Sequence, residues 1–138
     1  NGAGATFPAL LYERYTSEFS KKHPDIKVNY QPIGSGGGIR QTVAGVVDFG
    51  GSDAAMSDAD IAKVSRGIIL VPTAGGSVVP VYNVPGVSKL RLGRTVLPDI
   101  FSGRITKWND PKIAADNPGV NLPNQPIKTV VRADGSGT

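Results

Sequence analysis

Arg132-Ala133-Asp134-Gly135-Ser136-Gly137-Thr138 gathers a guanidinium, a carboxylate, two hydroxyls and two glycines into seven residues. That mixture suits an anion. Glycines let backbone N–H groups come close, hydroxyls add donors, and a helix N-terminus adds a positive partial charge. Thr6-Phe7, just before Pro8, and Ser35, inside Gly34-Ser35-Gly36-Gly37-Gly38, offer the same chemistry. Asp53, after Phe49-Gly50-Gly51-Ser52, offers the opposite: an ionised carboxylate only accepts. Each stretch alone is also an ordinary turn or helix cap. Other chemistries lack their parts. There is no Cys for thiolate chemistry. The single His, His23, lies at a helix end beside Lys22 and Pro24, so neither a metal cluster nor a Ser-His-Asp set can be assembled.

The elements that must carry these loops read as follows. Leu11, Tyr15 and Phe19 recur at spacing four behind Pro8, which predicts a helix running to His23-Pro24. Ile26, Val28 and Tyr30 alternate and predict a strand over 26–31, feeding the Gly/Ser loop and a second helix with Ile39 and Val43. The loop has neither the Gly-Lys-Ser/Thr of a Walker motif nor the G-x-G-x-x-G spacing of a dinucleotide fold, so no nucleotide cofactor is implied. Val46-Val47-Asp48-Phe49-Gly50-Gly51-Ser52-Asp53 reads as a short strand ending at the Asp53 carboxylate. Ser57-x-x-Asp60 has the form of a capping box and opens a helix to about Arg66. The apolar runs 68–72, 78–83 and 127–131 read as strands, the last of them buried and feeding the Arg132 stretch. Thr95 to Gly103 and Asp110-Pro111 to Pro118 read as two short helices, with Trp108 packed in a core or at a domain contact. Alternating helices and strands predict an α/β fold with a parallel sheet, whose ligands sit at the carboxyl ends of strands.

The net charge of +4 is unevenly placed. Residues 1–83 balance seven Lys/Arg with seven Asp/Glu, whereas 84–138 hold eight against four. The basic residues there are scattered without interleaved aromatics, which argues against nucleic acid and suits a small anion or a solvated surface. No stretch is long and apolar enough for a membrane helix, and no signal peptide is read in this sequence. A change of character near Tyr82–Pro85 predicts a domain boundary, giving 1–83 and 84–138. On the residues alone, a phosphate or sulfate binder and a phosphatase or phosphoryl-transfer enzyme built around Arg132 and Asp53 both remain open.

Gly2-Ala3-Gly4-Ala5-Thr6-Phe7-Pro8, the Gly-Ser-Gly-Gly run, Val47-Asp48-Phe49-Gly50-Gly51-Ser52-Asp53-Ala54, Lys107-Trp108-Asn109-Asp110 and Arg132-Ala133-Asp134-Gly135-Ser136-Gly137-Thr138 occur in one order. In that combination the sequence resembles the phosphate-binding proteins of high-affinity phosphate ABC transporters. The resemblance covers all 138 residues. It implies a class II periplasmic-binding-protein-like fold, two α/β lobes joined by a hinge, and no enzymatic activity. It further implies that inorganic phosphate binds in the interlobe cleft for delivery to an ABC permease, outside the cytoplasm, in the periplasm or at the cell surface.

Carried over by residue, the resemblance puts the Thr6 hydroxyl and N–H, the Phe7 N–H and the Ser35 hydroxyl and N–H on phosphate, with Asp53 accepting from a protonated phosphate oxygen. From the other lobe it brings Arg132, the Ser136 hydroxyl and N–H, the Gly137 N–H and Thr138, with Asp134 orienting Arg132. Family members are roughly twice as long. The resemblance therefore implies one piece of a larger protein, completed by a remaining part, with a short strand expected before Asn1 and a helix after Thr138.

Overall fold

The computed structural model describes residues 1–138, which form two compact units: Asn1–Val78 with Arg132–Thr138, and Val79–Val131. The chain re-enters the first unit at Arg132.

In the first unit the elements run β1 (Gly2–Gly4), α1 (Ala9–Lys22), β2 (Tyr30–Pro32), α2 (Ser35–Val43), β3 (Phe49–Gly51) and α3 (Asp58–Ile61). The three strands are parallel in the order β2-β1-β3, with Gly2 opposite both Tyr30 and Phe49. The expected α/β fold with a parallel sheet is what the chain adopts. Its central strand is the Gly-Ala-Gly segment, where the sequence reading placed no strand and expected one before Asn1 instead. Such a strand carries no apolar alternation to reveal it. It is central because it is small: all three residues are buried. A Cβ on Gly38 of α2 would lie 2.6 Å from Gly4 Cα and 2.8 Å from the Ala3 carbonyl, so helix and strand touch backbone to backbone. Gly4 itself has φ +147°, and a Cβ there would overlap the Gly51 carbonyl.

The helix predictions meet mixed outcomes. α1 covers the expected span, and Lys21 and Lys22 fall in its last turn, where they complement the dipole. Its stripe is only partly covered, however: Tyr15 and Phe19 remain exposed. Ser57 caps α3, without the reciprocal bond of a full capping box. Its Oγ accepts from Asp60 N–H at 3.2 Å and donates to Asp60 Oδ2 at 2.9 Å. α3 then ends at Ile61 instead of near Arg66, passing through turns to Gly67 at φ +73°.

The second unit holds α4 (Val96–Phe101) and α5 (Pro111–Asp116). Both were expected; Gly103 at φ +76° follows the first, and Asp110 caps the second by accepting from Lys112 N–H. Val96, Ile100, Ile105 and the fully buried Ile113 form its core, with Leu90, Leu92, Trp108, Leu122 and Ile127 packed against it. Asn117 ties the segment through Arg91 to α5: its side chain accepts from Arg91 N–H and donates to the Arg91 and Ile113 carbonyls at 2.7–2.8 Å.

Three strand expectations fail. Residues 68–72, 78–83 and 127–131 carry no ladder, and Ile69, Val81, Val130 and Val131 are largely exposed. A β-branched run becomes a strand only where a neighbour supplies N–H and C=O groups in register. Near 127–131 the chain offers only the Lys107–Pro126 antiparallel bridge and the Ile127 N–H bond to the Thr106 carbonyl.

Candidate functional site

The site grows from the carboxyl ends of the three parallel strands. β1 leads into Thr6-Phe7, β2 through Ile33-Gly34 into Ser35, and β3 into Ser52-Asp53. Parallel strands of equal length end together, so three loops distant in sequence arrive side by side. Arg132–Thr138 then lies over them.

Ser35 opens α2 and is buried. Its Oγ accepts from the Asp53 N–H at 3.2 Å, which joins the second and third loops and leaves the hydroxyl proton free to donate elsewhere. The fourth segment is held by backbone contact. Gly36 N–H donates to the Gly135 carbonyl at 3.0 Å. A Cβ on Gly34, at φ +83°, would lie 2.6 Å from Asp134 Oδ2 and 2.9 Å from the Gly135 oxygen. Glycine at 34 therefore serves twice, by adopting a positive φ and as clearance for the segment above it.

The charged groups are arranged by that approach. Arg132 Nε donates to Asp134 Oδ1 at 2.9 Å, and its Nη2 donates to Asp134 Oδ2, a two-pronged ion pair. This pair raises the Arg132 pKa above its already high ordinary value and holds the Asp134 carboxyl below the usual carboxylate range. Both groups stay charged. The remaining nitrogen, Nη1, donates to Thr6 Oγ at 2.9 Å. Asp53 receives no cation. Its Oδ2 accepts from the Thr138 hydroxyl at 2.9 Å, which ties the last residue to the third loop. Ser136 accepts from Thr138 N–H at 3.3 Å. The N–H groups of Thr6, Phe7, Ser35, Ser136 and Gly137 donate to no acceptor within the chain.

Thr6, Arg132 and Asp134 thus form one hydrogen-bonded group, and Ser35, Asp53 and Thr138 another with Ser136 beside it, the two joined through the Gly36–Gly135 backbone bond. Gly137 lies against Asp53 and Ala54. Phe7 follows Thr6 directly, and its half-exposed ring turns toward Gly76. Thr6 does not cap α1: Pro8 occupies that position, without a side-chain cap. Arg132–Thr138, expected from a second lobe, packs here with the first unit, because Gly135 and Gly137 have no side chains to hold it off. Two contributors escaped the sequence reading. The Ser35–Asp53 bond depends on sheet register. Tyr30 was taken as a strand residue only, yet its hydroxyl donates to the Ala5 carbonyl at 2.8 Å, next to Thr6. No group of three or more His, Cys, Asp or Glu could hold a metal ion, and no helix is long and apolar enough to cross a membrane.

Chemically, the cluster presents one cation, hydroxyl and N–H donors from several loops, and one carboxylate acceptor. A set of that composition can donate to an oxyanion and accept from one that keeps a proton.

The chain is 47% identical, over 99% of its length, to the phosphate-binding protein PstS of Pasteurella multocida, covering 40% of that protein. To the phosphate-binding protein PstS of Haemophilus influenzae it is 45% identical over 99% of its length, covering 41%. To that of Methanocaldococcus jannaschii it is 37% identical over 98%, covering 36%. The chain therefore spans about 40% of the length of the curated relatives it matches. The family model of the PBP superfamily domain matches residues 1–138. A parallel α/β unit with donor loops gathered at its strand ends agrees with that match, and the chain belongs to the PBP superfamily.

Proposed function

We propose that this chain supplies the donor loops with which a solute-binding protein holds inorganic phosphate. The observation that carries the reading is the pairing of opposite functions in one cluster: Arg132, Thr6, Ser35, Ser136, Gly137, Thr138 and the Phe7 N–H as donors, and Asp53 as acceptor. Asp134 keeps Arg132 oriented. The names of the relatives support the same ligand. The intact protein hands phosphate to an ABC transporter permease outside the cytoplasm and performs no catalysis. The cluster has no activated nucleophile: the Ser35 oxygen accepts from an amide instead of pairing with a base. Val79–Val131 begins the second lobe of the intact protein, and the remaining part of that protein completes the fold.

Asp53 gives the site its selectivity. Phosphate near neutral pH retains a proton to donate to a carboxylate. Sulfate does not, and would leave Asp53 facing lone pairs, at a cost of about 1–3 kcal/mol. Calorimetric titration of the full-length protein with phosphate and with sulfate tests this. Phosphate is expected to bind in stoichiometric amount and sulfate far more weakly, and Asp53→Asn, whose amide donates to either anion, to narrow the ratio roughly tenfold. Absence of phosphate binding by the wild type overturns the reading. Turnover of a phosphomonoester would replace it with the enzyme, and an unchanged ratio would remove Asp53 from selectivity.

A further inference from the structure

The main-chain ladder of β1 stops one peptide short of the site. Gly4 C=O accepts from Ile33 N–H and Ala5 N–H donates to the Gly51 carbonyl, each at 2.9 Å, but no backbone N–H reaches the Ala5 carbonyl. That carbonyl belongs to the peptide whose N–H is Thr6. The chain contains no cis peptide, so the Ala5 C=O and the Thr6 N–H point in opposite directions in one rigid plane. Whatever holds the carbonyl aims the N–H.

The Tyr30 hydroxyl holds it, at 2.8 Å. The ring is itself fixed, edge-on to Tyr12 with centroids 5.0 Å apart and stacked on Phe49 at 6.0 Å. Its hydroxyl lies over Gly51, where a side chain would overlap it. Burial, helped by Tyr12 and Asp53, pushes the Tyr30 pKa up to about 12, so the phenol remains a neutral O–H donor at physiological pH.

We infer that Tyr30 is a positioning residue: by donating to the Ala5 carbonyl it sets the direction of the Thr6 N–H that donates to the bound anion. The inference rests on the anion-binding reading for its consequence, and its geometry can be measured apart from it. The test compares full-length wild type with Tyr30→Phe, which removes only the hydroxyl. Tyr12→Phe serves as control, since it removes a hydroxyl of the same aromatic group that bonds Thr73 instead. Phosphate affinity is read by calorimetry, folding by thermal unfolding without phosphate, and the Thr6 amide by its 15N and 1H shifts. Tyr30→Phe is expected to shift the Thr6 amide in the phosphate-free protein and to weaken phosphate binding about tenfold, while Tyr12→Phe stays within about twofold. If Tyr30→Phe does not fold, Gly51→Ala displaces the same hydroxyl by occupying its space, and the same outcomes apply. An unmoved Thr6 amide with unchanged affinity overturns the inference and leaves the phosphate reading standing. A moved Thr6 amide in a protein that never bound phosphate supports the positioning and sinks the functional reading instead.

Discussion

The two units of this chain are held together by opposite means. In the first, backbones meet: Gly38 lies on Gly4 and Ala3, Gly135 on Gly36, and Gly137 on Ala54. In the second, side chains meet: Ile113, Ile100, Ile105 and Val96 fill a core. The difference follows from what each region presents. A site made largely of main-chain N–H groups needs strand ends and loops near enough for several donors to reach one ligand, and a Cβ on the contacting residues would separate them. A unit that only has to pack can use volume. Their carboxylates differ in the same way. Asp99, buried in the second unit, is fully answered by Arg104 and Lys112 at 2.7 and 2.9 Å. Asp53 in the first has a hydroxyl and no cation. A carboxylate neutralised by two cations holds a fold, whereas Asp53, with no ion pair, is the acceptor proposed for the anion.

Substitutions of opposite sense should separate the two modes. The largest effect is expected from adding a single methyl at Gly4. Gly4→Ala combines positive φ with overlap of the Gly51 carbonyl, a rigid backbone atom. It should destabilise the first unit by ~3 kcal/mol or more, read as loss of hydrogen-exchange protection across β1, β2 and β3. Retention of that protection would mean that the central strand tolerates side chains and that the contrast between the units is false.

Removing volume is the matching experiment in the second unit. Ile113→Ala empties the centre of its core and should cost about 2–5 kcal/mol. Exchange protection should fall around α4 and α5. An effect below about 1 kcal/mol would show that the cluster collapses freely around the gap.

The smallest effect concerns Asp99 and has a definite pH dependence. Hydrogen bonds from Lys112 and then Arg104 hold its carboxyl below the usual carboxylate range. Its stabilising contribution is therefore fully present above the unfolded-state value, about 3.9 for Asp, and is lost as pH falls through the lower folded value. Asp99→Asn should lower the urea midpoint at neutral pH and flatten its decline in acid relative to wild type. Parallel acid curves for the two proteins would place the charge of Asp99 outside the stability of the unit.

Local signals were legible where a residue acts on its own neighbours. The Ser57 cap, the Asp110-Pro111 start and the Pro24 stop of α1 each appear as written, because capping and proline geometry involve only a few adjacent residues. The strand readings failed where partners decide. Val130 and Val131 have strong β preference, yet no ladder forms there. Gly2-Ala3-Gly4 has almost none, yet it is the middle of the sheet. Strand identity belongs to a pair of segments, and the hydrophobic pattern of one does not contain the register of the other.

By itself, the sequence determined the donors and the acceptor: a guanidinium, hydroxyls, glycines and a carboxylate set at loops, and the glycines small enough to let those loops converge. It also determined the resemblance that pointed to phosphate. Only the tertiary structure decided that Arg132 reaches Thr6, that Asp53 is left without an ion pair, that Ser35 joins Asp53, and that Tyr30 reaches the peptide before Thr6. These are relations between residues up to 126 positions apart. They exist because parallel strands end at one level and glycine backbones touch, and no local pattern in the chain encodes a distance between loops.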